Sequence, residues 1–472
     1  MSQKNETTVL ILALLITLGL VGGGVWWFTS HSGAKITDSS TPQNRAANSP
    51  SPDNQAVSDR ISSGEKSLIP GEVQPAKRAG IEAIAAGNYD KAIANLEAVL
   101  RVNRNNPEAL IFLNNARIGK QKSYTIATSV PIGTDLNGSL EILRGVAQAQ
   151  NEINSSGGIK GVPLKVAIAN DDNQPQIAQQ IASALVSNPE VLGVIGPYSS
   201  DVTLAAGTIY NSGQLVAISP VSTSVKLSGF SRYVFRTVPS DYIAARALAN
   251  YMLTKLQKKN AVVFFNSQSA YSQSLKSEFV TAVSLGGGQV LSEFDLSNPG
   301  FSAAQSFNQA TKQGAEVLML ASNSGELDKA LQVVGVNRRR LNLLGGDDVY
   351  TPKTLEVGGQ SVVGMVLAVP WHINANPTSA FPRQSRRLWG ADVNWRSALS
   401  YDATRAIIAA LESNPTRTGV QQALASSDFS ATGASGTIRF LASGDRNAPV
   451  QLVKIVPGSR SGTGYDFVPI PQ

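Results

Sequence analysis

Residues 194–236 read VIGPYSSDVTLAAGTIYNSGQLVAISPVSTSVKLSGFSRYVFR. Two apolar segments in this stretch, at 194–196 and 215–218, each run into a cluster of small hydroxylated residues. Pro197-Tyr198-Ser199-Ser200 follows the first, and Ser219-Pro220-Val221-Ser222-Thr223-Ser224 follows the second. Residues 202–211 between them carry a helical pattern, so the unit is strand, polar loop, helix, strand, polar loop. In open α/β sheets, loop hydroxyls and helix N-terminal N–H groups converge beyond the carboxyl ends of parallel strands. Such a place suits a small anion, above all a carboxylate.

Outward from this unit the same rhythm continues. Strand patterns at 124–130, 164–169, 192–195 and 215–218 are separated by helical patterns at 140–153, 177–186 and 202–211. Past Asp241 the alternation restarts, with strands at 261–265, 290–294, 317–320 and 341–344 and helices at 272–285, 303–313 and 326–334. Strands alternating with helices imply parallel sheets covered on both faces, here in two doubly wound lobes.

Composition agrees and excludes several classes. At 472 residues, 42% apolar and 15% charged, the chain buries a large core and exceeds one domain. The net charge of +7 is modest for this length. Its one dense basic run, Arg338-Arg339-Arg340, reads as a solvated helix end or turn, whereas nucleic-acid binding wants a broader basic face. The absence of cysteine removes disulfides, thiolate metal sites, cysteine nucleophiles and thioether lipid anchors. Two histidines, His31 and His372, leave almost nothing for a histidine-based metal site, and no convergent acid, base and nucleophile set points to an enzyme. No phosphate-binding GxxxxGK[ST] loop is present, and no cofactor is implied.

The N-terminus differs. Residues 9–28 are apolar or small and uncharged, long enough for a membrane-spanning helix of roughly 20 residues. Trp26-Trp27-Phe28 closes the run as an aromatic belt, which favours an uncleaved anchor over a signal peptide ending in a small-x-small site. Residues 29–75, rich in Ser, Asn, Pro, Gln and Asp, read as a flexible tether. Residues 76–118 are helical again. Gly87-Asn88-Tyr89, Ala92-Ile93, Leu96, Leu100 and Asn106-Pro107-Glu108-Ala109-Leu110 resemble one tetratricopeptide repeat of two helices broken at the Asn-Pro turn. A single repeat cannot bury its own face, so this hairpin rests on the next domain, on another copy, or on a protein partner. An ordinary hairpin packed on the α/β domain accounts for it equally well.

Several ordered motifs carry a wider resemblance: GVIGPYSS, VAISPVSTS, YVFRTVPSD at 233–241, LRGVAQAQNEINSSGGIKGVPLKVAIANDDNQP at 143–175, and YDATRA at 401–406. Together they resemble the branched-chain amino-acid class of type I periplasmic solute-binding proteins of ABC importers, the Venus flytrap fold. With the readings of the N-terminal part, the expected division is a membrane anchor at 1–29, a disordered linker at 30–75, the helical hairpin at 76–120 and, as the resemblance implies, a solute-binding domain at 121–472. Lobe 1 then spans about 124–238 and 372–435, and lobe 2 about 241–368 and 437–472. Chain crossings are expected near 238–241, 367–371 and 433–439.

The same resemblance implies a site. A ligand carboxylate falls against Ser200 and Thr223 with the N–H groups of Val221 and Thr223, flanked by Ser199 and Ser222; an isolated serine or threonine in such a loop is otherwise a cap or turn residue. An α-ammonium falls to Asp347, with Asp348 beside it, one of the two being free to cap the helix near Thr351. Tyr271 covers the ligand and Tyr198 lies in the first loop, although tyrosines at helix starts commonly pack. Asn323 or Ser324 stands where many family members have a tyrosine, which leaves polar amino acids, amides or urea-like ligands open. Asp171 and Asp172 fit a cleft rim or a solvated loop. The implied function is an extracytoplasmic, membrane-anchored component that captures an amino acid or amide, closes on it, and presents it to an ABC permease. The competing classes are a flytrap regulator acting through protein contacts, as in activators of cell-wall synthesis, and a ligand-sensing receptor.

Overall fold

The structure is a computed structural model that describes residues 57–71, 73–376 and 378–471. The expected membrane helix and most of the expected tether lie outside these residues. Among the described residues, no helix is long and apolar enough to cross a membrane.

Lobe 1 is built on a six-stranded sheet of order β1-β3-β2-β4-β5-β6. Its strands are β1 (Ile61–Ser62), β2 (Tyr124–Val130), β3 (Leu164–Asn170), β4 (Val191–Ile195), β5 (Ala217–Ser219) and β6 (Val234–Arg236). Helices α1 (Pro75–Ala85), α2 (Tyr89–Val102), α3 (Pro107–Ile118), α4 (Leu136–Ser155), α5 (Pro175–Ser187) and α6 (Ser200–Ser212) complete this part of the chain. β2, with sequence YTIATSV, is buried at every position after Tyr124. As a central parallel strand it is covered on both faces, so the small hydroxylated residues Thr125, Thr128 and Ser129 are buried along with its apolar ones.

Lobe 2 begins with α7 (Asp241–Asn250), prolonged by a wider turn at Tyr251–Lys255. It continues as β7 (Asn260–Phe265), α8 (Ala270–Leu285), β8 (Gln289–Asp295), α9 (Ala303–Lys312), β9 (Val317–Ala321), α10 (Leu327–Asn337), β10 (Asn342–Gly345), α11 (Pro352–Gly358) and β11 (Val366–Val369). The chain then adds α12 (Ala380–Trp389), α13 (Trp395–Ser413), α14 (Arg417–Ala425) and the hairpin β12 (Ala431–Gly433) and β13 (Gly436–Ile438). β14 (Gln451–Pro457) and β15 (Tyr465–Pro469) finish the second sheet, whose order is β15-β14-β11-β10-β9-β7-β8. Only its last two strands run antiparallel to their neighbours.

Three expectations need correction. The flexible tether does not extend to residue 75. β1 pairs antiparallel with β3 at the sheet edge, and Glu108, fully buried, accepts from the N–H groups of Leu68 (2.7 Å) and Ile69 (3.2 Å) and from Ser67 Oγ (2.8 Å) while pairing with Lys77. A buried carboxylate needs this many partners, so it pins the segment that a composition reading leaves loose. The two-helix hairpin is three helices, because Gly87 (φ +71°) and the Asn88 cap end α1 and restart α2 before Asn106 caps α3. α3 is buried along nearly its whole length. Its Asn115 amide donates to Ser63 O (2.8 Å) and Val166 O (2.7 Å), which makes it a layer of lobe 1.

The third crossing also lies later than residues 433–439. Gly229 N donates to Ser443 O (2.9 Å) and Arg236 N to Gly444 O (3.0 Å), so the chain stays on lobe 1 through that segment and reaches lobe 2 only at β14. Asp402, in the YDATRA segment, is fully buried and takes Arg446 Nη1 at 2.7 Å, fixing the segment that leads to this crossing. The basic run ends α10 in a left-handed turn at Arg338 and Arg339, and Arg340 stacks 4.3 Å over Phe307, as expected of a turn.

Candidate ligand-binding cleft

A cavity of about 340 Å³ lies between the lobes. Tyr198, Ser199, Ser200, Val221, Ser222, Tyr271, Asn323, Asp347 and Asp348 all line it. Thr223 is buried behind this lining, its side chain beside the Asp241 carboxyl.

The lobe 1 wall is made by the loops after β4 and β5. Gly196 (φ +112°) turns the first loop so tightly that a Cβ there would meet Ser129 O at 2.4 Å. Ser199 caps α6 through Val202 N, while Ser200 Oγ accepts from Ser224 N at 3.2 Å. Ser222 Oγ donates to Tyr198 O (3.0 Å) and shares a hydrogen bond with Thr203 Oγ1 (2.8 Å), stitching one loop to the other. Arg236, fully buried, holds the second loop from below. It donates to Ser224 O at 2.8 Å and to Ser222 O at 3.3 Å, and pairs with Asp445 at 2.6 Å.

On lobe 2, Tyr271 Oη donates to Asp347 Oδ1 at 2.6 Å. Gly346 makes this possible, because a Cβ there would meet the Tyr271 hydroxyl at 2.4 Å. Burial, reinforced by the neighbouring Asp348 carboxylate, pushes the Asp347 carboxyl up to about 7. Neither aspartate caps the helix near Thr351, since Thr351 accepts from Thr354 N itself. Asp348 instead bridges the lobes, with Arg396 Nη2 of α13 at 2.8 Å from its Oδ1. Arg396 Nε also donates to Tyr198 Oη (2.9 Å), which donates to Asp135 Oδ2 (2.9 Å). Asn323 Oδ1 accepts from Asn266 Nδ2 at 2.9 Å, giving a polar wall where an aromatic ring would make an apolar one.

Sequence reasoning missed Arg396, Asp201, Asn173, Asn266, Gln268 and Asp241. Asp201 directly follows Ser200 and Arg396 sits five residues before Tyr401, but nothing local announces what either one touches. Asp241 is buried where lobe 1 passes into lobe 2; its N–H donates to Thr223 O (2.9 Å), and burial pushes its carboxyl up to about 7. Asp171 and Asp172 do not line the cavity. Asp171 is buried against Ser129 Oγ (2.7 Å), and Asp172 pairs with Arg60 (2.6 Å). Their neighbour Asn173 is the residue that reaches the cavity wall.

A family model described as periplasmic binding protein matches residues 123–462. The chain is 24% identical over 319 residues to the "Leu/Ile/Val-binding protein homolog 3" of Brucella melitensis, covering 66% of this chain and 84% of the relative. It is 26% identical over 276 residues to the "Amino acid binding protein" of Pseudomonas aeruginosa, covering 57% and 72% respectively. An ABC transporter substrate-binding protein of Desulfitobacterium hafniense, solved in complex with Leu, superposes with a TM-score of 0.64 at 22% identity, covering 74% of this chain and 100% of that one.

Proposed function

Because the chain belongs to the periplasmic binding protein family, we propose that it is the substrate-binding component of an ABC-type amino-acid importer, acting outside the cytoplasm by capture and release without chemistry. The observation that carries this reading is the polarity of the cavity along its length. Loop hydroxyls and the α6 N-terminus on lobe 1 form an anion-accepting end, and Asp347 with Tyr271 on lobe 2 forms a cation-accepting end. A zwitterion satisfies both ends only when the lobes meet, so it favours the closed form by its differential affinity. The Asn266–Asn323 pair and Gln268 in the remaining wall favour a ligand with a hydrogen-bonding side chain, a polar amino acid or related amide. The apolar run at 9–28 anchors the protein beside its permease.

The test is a thermal-shift screen of the full-length protein in detergent against all amino acids, urea and short amides. A marked stabilisation by a zwitterion that disappears in Asp347→Ala and weakens in Ser200→Ala supports the reading. Silence to every solute overturns it. The flytrap-regulator reading would then take its place, favoured by the Arg396–Asp348 bridge, which ties the lobes together through the protein's own side chains.

A further inference from the structure

Among the described residues lining the cavity, Asp201 is the one carboxylate that neither an end of a zwitterion nor an arginine of the protein uses. It stands in the first turn of α6 and faces lobe 2, where both its oxygens lie 3.0–3.1 Å from the single N–H of Ala270. That contact serves the first N–H of α8, while Ser269 caps the same helix through Ser272 N. One N–H shared between two oxygens leaves most of a carboxylate's acceptor capacity unused. Among the described residues none forms an ion pair with Asp201, and burial holds its carboxyl above the usual range while Lys226 opposes this only at a distance. On the same wall the Asn173 side chain presents a buried Oδ1 without a donor. The charges in the lining point the same way. Asp348 is neutralised by Arg396, Asp347 is the acceptor for an α-ammonium, and Asp201 remains without a cation.

Resting on the reading of the cleft as an amino-acid site, we infer that the ligand is a basic amino acid whose side-chain ammonium or guanidinium is received by Asp201 and Asn173 Oδ1. Leucine, isoleucine and valine leave the Asn173 acceptor unmet and the Asp201 charge without a cation, a cost that disfavours them against a ligand able to donate. Asp201 then has a double action. Its contact with Ala270 N forms across the lobes, so a cation held there lies where lobe 1 and lobe 2 meet and ties side-chain recognition to closure.

The experiment is isothermal titration of the full-length protein with arginine, lysine, ornithine, glutamine and leucine, for the wild type, Asp201→Asn and Asn173→Ala. The expected result is that at least one basic amino acid binds more than about tenfold tighter than glutamine and leucine, and that Asp201→Asn costs the basic amino acids at least about tenfold more affinity than it costs glutamine, which removes the preference. Asn173→Ala narrows the preference in the same direction and serves alone if Asp201→Asn does not fold. Glutamine or leucine binding as tightly as the basic amino acids overturns the inference and leaves the amino-acid reading standing. Equal weakening of every ligand by Asp201→Asn also overturns it, assigning Asp201 to lobe closure only. Silence to all five ligands overturns both.

Discussion

Asp241 offers the sharpest test of the electrostatics beneath the cleft. Its side chain is fully buried where lobe 1 passes into lobe 2, near Thr223 and Ser274, and one carboxyl oxygen has no hydrogen-bond partner. Burial is the main cause of the rise from the ordinary 3.8 to about 7; Ser274, Thr223 and Arg236 oppose it. A folded-state pKa above the unfolded one means that the folded protein binds the proton more tightly. The stability this contributes is present in full below about pH 4 and is lost as pH rises through about 7. At about 1.4 kcal/mol per pH unit the loss amounts to about 4 kcal/mol, an upper bound because water entering the site would soften it. Asp241→Asn removes the titration while keeping the shape. In urea unfolding the variant should therefore gain on the wild type by up to about 4 kcal/mol between pH 4 and pH 8, most of the gain falling between pH 5 and 7. Asp347 titrates in the same window and is itself raised by the Asp241 charge, so both proteins are compared in an Asp347→Asn background, where Asp241 alone is read. A difference that stays flat from pH 4 to 8 would show that Asp241 is ionised and compensated in the fold, and the reasoning fails.

Other outcomes follow from named contacts. Arg396→Met leaves Asp348 buried without its partner and should cost about 3–5 kcal/mol in denaturant unfolding, most of it recovered by adding Asp348→Asn; strict additivity of the two changes would refute an interlobe ion pair. Glu108→Ala strips partners from Lys77 and from the N–H groups of Leu68 and Ile69, so limited proteolysis should cut residues 57–71 at least about tenfold faster while the rest of the chain resists. Unchanged cleavage there would refute the pinning role. Gly346→Ala pushes the Tyr271 hydroxyl off Asp347 and crowds the buried Leu275 side chain, so it should weaken ligand binding by about tenfold or more and also lower the unfolding midpoint. Wild-type affinity in this variant would remove the Tyr271–Asp347 pair from recognition.

Much of this protein can be read along the chain because the relevant forces are local. The alternation of apolar strands and amphipathic helices sets a doubly wound α/β fold, and hydroxylated loops after β4 and β5 announce an anion-accepting strand end, since backbone geometry places such loops at the sheet's carboxyl edge. The Tyr271, Asn323, Asp347 and Asp348 positions rested on family resemblance, and the fold gathers them at one cavity. Tertiary structure alone decided which charges meet. Arg396 and Asp348, 48 residues apart, pair across the lobes; Asp201 faces Ala270, 69 residues away; and Glu108 draws in a segment whose composition reads as a tether. Periodicity reports which face of an element is buried, but a buried charge takes its partner from whatever the fold brings within about 3 Å, and no local pattern encodes that distance.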